Sequence, residues 1–231
     1  MKFIARSLVL AIVFCATAIQ AATSTPLPRR AAVVLATAGK LEVSLDGKTF
    51  HRAKKGEIFY EGAVFRTGRS GSADLFFRRI GTIVRLLPGS ELELEKLQRK
   101  EGEKGISVNE TILSLHKGRV FTFVRVLFPE STFQVRTEKG LATLKGSGTG
   151  RYDIAANGRF VTGKSSRSSL KVIVEGEERI IAPGELFNIR DKKVTPLAPS
   201  EAESLLLEMD ELQRLAEVLA PDLTPGEMEK R

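Results

Sequence analysis

Residues 62–97, GAVFRTGRSGSADLFFRRIGTIVRLLPGSELELEKL, decide the fold. Short runs of alternating apolar and polar residues are cut by Thr67-Gly68, Ile80-Gly81 and Pro88-Gly89-Ser90, groups that suit turns between strands. Residues 72–77 and 82–87 read as strands on either side of Ile80-Gly81. Glu91-Leu92-Glu93-Leu94-Glu95 is the cleanest alternation in the chain. A period of two puts the leucines on one face and the glutamates on the other, so the leucines should meet a core and the glutamates water. The stretch holds no recognisable catalytic constellation.

The same pattern runs outward in both directions. Upstream, residues 33–37, 41–45, 49–53 and 57–65 read as strands, with Asp46-Gly47 as a hairpin turn because both positions tolerate positive φ. Downstream, residues 98–105 (QRKEGEKG) read as a charged loop. Strands are expected at 111–115, 119–127, 133–136, 141–144, 152–155, 159–162, 170–174, 178–181 and 185–189, separated by glycine turns. In 119–127, Val120, Val124 and Val126 share one face while Phe121, Phe123 and Leu127 share the other. A strand apolar on both faces is covered on both sides, so this one should be central. The fold class is therefore all-β, a sandwich or solenoid-like array of short antiparallel strands.

The character changes after Pro199. Ser200 and Glu203 have the spacing of a capping box, and Leu205, Met209, Leu212, Ala216 and Leu219 form one apolar stripe at helical spacing. The stripe is too short for a coiled coil. It fits an amphipathic helix over 199–220 that folds onto the sheet, or that docks a partner or a second copy through Leu205, Met209, Leu212 and Leu219. A polar tail, 221–231, follows.

At the other end, Lys2 and Arg6 precede an apolar run from Leu8 to Ile19, and Ala21 closes a small-residue cleavage site. This reads as a cleaved signal peptide, 1–21, which directs the chain to the periplasm or outside the cell. The run is short for a membrane span, so no integral span is expected after cleavage. A Pro-rich lead-in, 22–30, joins the signal to a β-domain over 31–195. The only cysteine, Cys15, lies in the signal, so no disulfide or thiol chemistry is expected in the mature chain. Removing Lys2 and Arg6 leaves 34 basic residues against 28 acidic ones, a formal +6.

Composition and motifs argue against several functions. With 42% hydrophobic residues the 231-residue chain can bury a sizeable core. Thirteen Phe, two Tyr and no Trp place its aromatics in packing rather than in stacking on sugars or bases. Residues 158–165, GRFVTGKS, match a phosphate-binding loop as a string, but Phe160-Val161 favour a strand and no helix follows. Gly146-Ser147-Gly148-Thr149-Gly150 reads as a turn where backbones approach closely. His51 and His116 lack the spacing of a metal site. No metal, cofactor, nucleic acid or catalytic residue is expected, and the chain reads as a non-enzyme. Basic pairs at Arg29-Arg30, Lys54-Lys55, Arg78-Arg79 and Arg99-Lys100 are scattered among glutamates, unlike a nucleic-acid stripe. Arg78 and Arg79 are candidates for partner contact.

The ordered strands and turns resemble the FecR-type periplasmic domain. Gly62, Val64, Thr67, Gly68, Gly71, Ala73, Leu75, Phe77, Gly81, Thr82, Val84, Leu86, Pro88, Ser90, Leu92 and Leu94 follow the first part of the family pattern. Leu115, Gly118, Val120, Phe133, Val135, Thr137, Ala142, Lys145, Gly146, Ser147 and Tyr152 follow the second, and Ala182-Pro183-Gly184-Glu185 the last turn. In that family the domain receives a signal in the periplasm from an outer-membrane transporter, and a cytoplasmic anti-sigma segment precedes a membrane helix. Here a signal peptide leads almost directly into the β-domain, so anti-sigma activity is not carried over. The resemblance implies a protein-partner-binding module in envelope signalling or assembly. An adaptor for envelope polysaccharide or peptidoglycan is the alternative.

Overall fold

The structure, a computed structural model, describes residues 31–101, 107–125, 127, 130–145 and 148–219, with backbone alone at Arg79, Lys100, Glu101, Ser107 and Lys145. The signal, the lead-in, the polar tail and Gly146-Ser147 lie outside the described residues. Eighteen strands and one helix are described: β1 (Ala32–Ala38), β2 (Leu41–Ser44), β3 (His51–Arg52), β4 (Ile58–Phe59), β5 (Val64–Thr67), β6 (Ser72–Phe77), β7 (Thr82–Leu86), β8 (Glu91–Glu101) and β9 (Ser107–Lys117) make the first half. The second half holds β10 (Arg119–Val124), β11 (Thr132–Thr137), β12 (Gly140–Lys145), β13 (Gly150–Ala155), β14 (Arg159–Thr162), β15 (Leu170–Val174), β16 (Glu177–Ile181), β17 (Glu185–Asn188), β18 (Lys193–Pro196) and α1 (Pro199–Leu219).

The strands form two nine-stranded sheets packed face to face. The front sheet runs β18-β17-β14-β13-β10-β7-β6-β1-β4 and the back sheet β16-β15-β12-β11-β9-β8-β5-β2-β3. β11 pairs with β9 in parallel, and the other described pairings are antiparallel. β10 stands in the middle of the front sheet. Val120 and Val124 enter the core between the sheets, while Phe121 and Phe123 enter a second apolar cluster on the outside. Leu127 joins the core with the valines rather than the phenylalanines, because β10 ends at Val124 and the alternation stops there.

The opening stretch supplies both the core and the corner that joins the sheets. Leu92 and Leu94 are fully buried, each contributing about 1.5–3 kcal/mol. A register shift between Glu93 and Lys96 takes up one residue, so Leu97 returns inward after Glu95 and Lys96. The Thr67 hydroxyl donates to the Leu87 carbonyl (2.7 Å) and accepts the Ser90 N–H (2.9 Å), tying the back sheet to the end of β7. Gly118 has φ +81°, and a Cβ there would lie 2.5 Å from Ser90 Cα, so only glycine lets these two backbones meet.

Some local readings change. Residues 57–65 are not one strand, because Gly62 at φ +93° turns the chain between β4 and β5. Asp46-Gly47 lies in a six-residue loop rather than a two-residue turn. There the Asp46 carboxylate accepts from the N–H groups of Thr49 and Lys48 and from Ser44 Oγ, bonds that, in that order, hold its pKa well below the usual range. Gln98–Glu101 extends β8 instead of forming a loop, since β9 pairs with it as far as Ser107. The α1 start also differs. Ala202 N–H bonds to the Ala198 carbonyl, so Ala198 is the cap, Pro199 fills the first helical position and Ser200 is already inside.

Candidate partner interface

The outer face of the front sheet carries both the second apolar cluster and most of the buried ion pairs. Antiparallel register lines the outward side chains up in rows. Asp74, Arg85, Phe121, Asp153 and Val161 form one row across five strands. Phe76, Ile83, Phe123 and Arg151 form the next. α1 lies over these rows and buries Leu205, Met209, Leu212 and Ala216 against Phe76, Ile83, Phe121, Phe123, Val161 and Leu197. Three of the four apolar residues singled out on the helix are thus buried in cis, and Leu219 packs at the rim of the same cluster.

Charges fence the helix on both flanks of its stripe. Arg85 grips Asp74 with Nε and Nη2 (2.8 and 2.9 Å) and reaches Glu208 (2.8 Å) and Glu211 (2.7 Å) with Nη1. The bond to Asp74, with help from Glu211, raises the Arg85 pKa; the bond from Arg85 in turn holds Glu211 low. Asp153, fully buried, accepts a bidentate pair from Arg119 (2.6 Å each) and a further bond from Arg159 (2.5 Å). Arg159 also bonds Glu201, and Arg125 donates to the Ala216 carbonyl (3.3 Å). On the opposite flank Arg151 meets Gln213 and Asp210, the latter at 3.2 Å, while its Nε is buried without a partner.

These arginines were legible only as strand residues. Their signal is the alternation Arg151, Asp153 in β13 beside Arg119 in β10, which the surrounding apolar residues obscure. Arg78 is exposed in a 3-10 turn, Arg78–Ile80, between β6 and β7 and takes no part in the ion pairs around α1. The Arg79 side chain lies outside the described residues. The string 158–165 contains β14 between the turn at Gly158 and residues that form no helix.

A second exposed feature is the sheet end. Among the described strands β16 is the longest of the four at sheet edges, five residues, and it pairs on one side with β15. Ile180 is 54% exposed, and Ile173 on β15 is its diagonal neighbour at 37%. The outer-face glutamates of β8 are engaged rather than free, with Glu91 on Arg66, Glu93 on His116 and Glu95 on Arg136. Among the described residues no helix is long and apolar enough to cross a membrane.

No family model and no curated protein matches the chain. Two solved structures resemble it, both crystal structures of a candidate anti-sigma factor from Parabacteroides distasonis. One is 13% identical with a TM-score of 0.44, covering 62% of this chain and 64% of the other. The second is 14% identical with a TM-score of 0.42, covering 62% and 63%. The chain therefore spans less than two thirds of either protein.

Proposed function

We propose that this chain is an exported, non-enzymatic FecR-type module that binds a protein partner in envelope signalling or assembly. The sequence pattern supports the family. Thr67, Ser90 and Gly118, three of its matching positions, join the two sheets and so define the scaffold. The observation that carries binding is the β16 edge, which has one strand partner among the described residues, with Ile173 and Ile180 exposed beside it. An edge strand offers unpaired backbone donors and acceptors to an added strand, and adjacent apolar side chains give it something to bury.

The test is recovery of partners from envelope extract by the immobilised mature chain, with an Ile173→Glu/Ile180→Glu variant alongside. A discrete protein retained at high salt by the wild type and lost by the variant supports the reading. Recovery of salt-sensitive polymer alone, equal for both chains, would favour the polysaccharide or peptidoglycan adaptor instead. Fractionation of the host cell tests export separately.

A further inference from the structure

We infer that the outer face of the front sheet is a binding face for an acidic amphipathic helix of a partner protein, and that α1 occupies it in cis. This face is separate from the β16 edge, so the inference stands or falls apart from the edge reading.

Three observations carry it. First, the buried residues of α1 belong to the outer cluster and none to the core between the sheets, so the helix can leave while that core persists. Leaving would expose Phe76, Ile83, Phe121, Phe123, Val161 and Leu197 together, a contiguous apolar patch of the kind that marks an interaction site. Only Leu197 and Ala198 separate β18 from α1.

Second, the arginines are held in place by the sheet itself. Asp74 fixes Arg85, and Asp153 fixes Arg159, whether or not a helix lies above them. Two of the cations that meet α1 carboxylates are therefore pre-organised for any helix with acids on its flanks.

Third, α1 leaves this face unsatisfied. Arg151 has a side chain 9% exposed, and α1 offers it the neutral amide of Gln213 and a carboxylate oxygen of Asp210, both at Nη2, while Nε stays bare. A glutamate in place of Gln213 gives up the bond that the Gln213 amide donates to Glu217 (2.7 Å), but it has the same reach and two acceptor oxygens, enough to take the buried Nε and Nη2 side by side. The face thus fits a helix with a carboxylate at that position better than it fits its own.

The experiment uses the full mature chain with ten Gly/Ser residues inserted between Leu197 and Ala198, which lowers the effective concentration of α1 while Leu197 stays beside β18 and Ala198 stays as the helix cap. Fluorescein-labelled peptides of residues 198–219, native and Gln213→Glu, are titrated by anisotropy. The expected result is binding by both, at least fivefold tighter for Gln213→Glu, and weaker binding to the unextended chain. Arg151→Lys in the extended chain should remove most of the difference while keeping binding, since an ammonium lacks the guanidinium fork. No binding to the extended chain would overturn the proposal, as would equal affinities for the two peptides. Sedimentation of the extended chain alone as a dimer would overturn it in favour of helix exchange between copies.

Discussion

Ser90 and Arg119 hold each other twice: Ser90 Oγ donates to the Arg119 carbonyl at 2.9 Å and accepts the Arg119 N–H at 3.0 Å. Ser90 immediately precedes the back-sheet strand β8 and Arg119 begins the front-sheet strand β10, so this pair is a stitch between layers. Ser90→Ala leaves the Arg119 N–H unpaired beside a buried side chain and should lower stability by about 1–3 kcal/mol. Gly118→Ala adds a left-handed residue, itself about 1–3 kcal/mol, and a clash with Ser90 backbone. Urea unfolding should rank Gly118→Ala below Ser90→Ala; equal stability to wild type for either would contradict the stitch.

Arg85 and its partners should respond unequally to substitution. Asp74 has a side chain 6% exposed, so Arg85→Met strands a buried carboxylate and should cost about 3 kcal/mol. Glu208 and Glu211 are 44% and 54% exposed, and Glu208→Gln or Glu211→Gln should change stability by about 0.5 kcal/mol or less. An Arg85→Met/Asp74→Leu double variant should recover much of the loss from the single change. Thermal denaturation of the four proteins decides the order.

The Glu211 pKa is lowered in the folded chain, first by its bond from Arg85. A lowered folded pKa gives stability that is present above the ordinary glutamate value of about 4.3 and is lost as pH falls through the lowered one. Wild type and Glu211→Gln should therefore differ most at neutral pH, slightly because the pair is exposed, and converge as acidification passes below the ordinary glutamate value and through the lowered one. A gap that widens on acidification would contradict the assignment.

Hydrogen exchange should separate the two apolar clusters. Leu94→Ala empties the core between the sheets and should weaken protection throughout both, by about 2–5 kcal/mol. Leu212→Ala empties the outer cluster and should weaken protection in α1 while β11, β12 and β15 keep theirs. Uniform loss in both variants would show that α1 does not open on its own.

The all-β class, the final helix and the central place of β10 were legible because turn glycines and alternating apolar residues report local geometry directly, while the choice between a sandwich and a solenoid-like array needed the strand pairing. Other features were not. β18 carries no apolar pattern: Lys193, Thr195 and Pro196 are exposed, and the strand exists because β17 offers it backbone partners. The charged end of β8 looked like a loop for the same reason. The arginine fence is legible only through register. Asp74 and Arg85 become neighbours when β6 pairs with β7, and Phe121 meets Asp153 when β10 pairs with β13. The helix cap was misplaced because Ser200 has the right chemistry while Pro199, one residue earlier, already begins the helix.

The four sheet edges make the molecule polar as a building block. At one end β3 and β4 are two residues each, too short to template another strand; at the other lie β16 and β18, the latter ending in Pro196. Among the described strands, β16 is therefore the best template for an added strand. Two copies that met there would use up the adhesive end of both and present blunt ends outward, and growth would stop. Among the described residues, then, the sandwich has a five-residue edge strand at one end and two-residue edge strands at the other, and a contact made through the longer edge would be self-limiting.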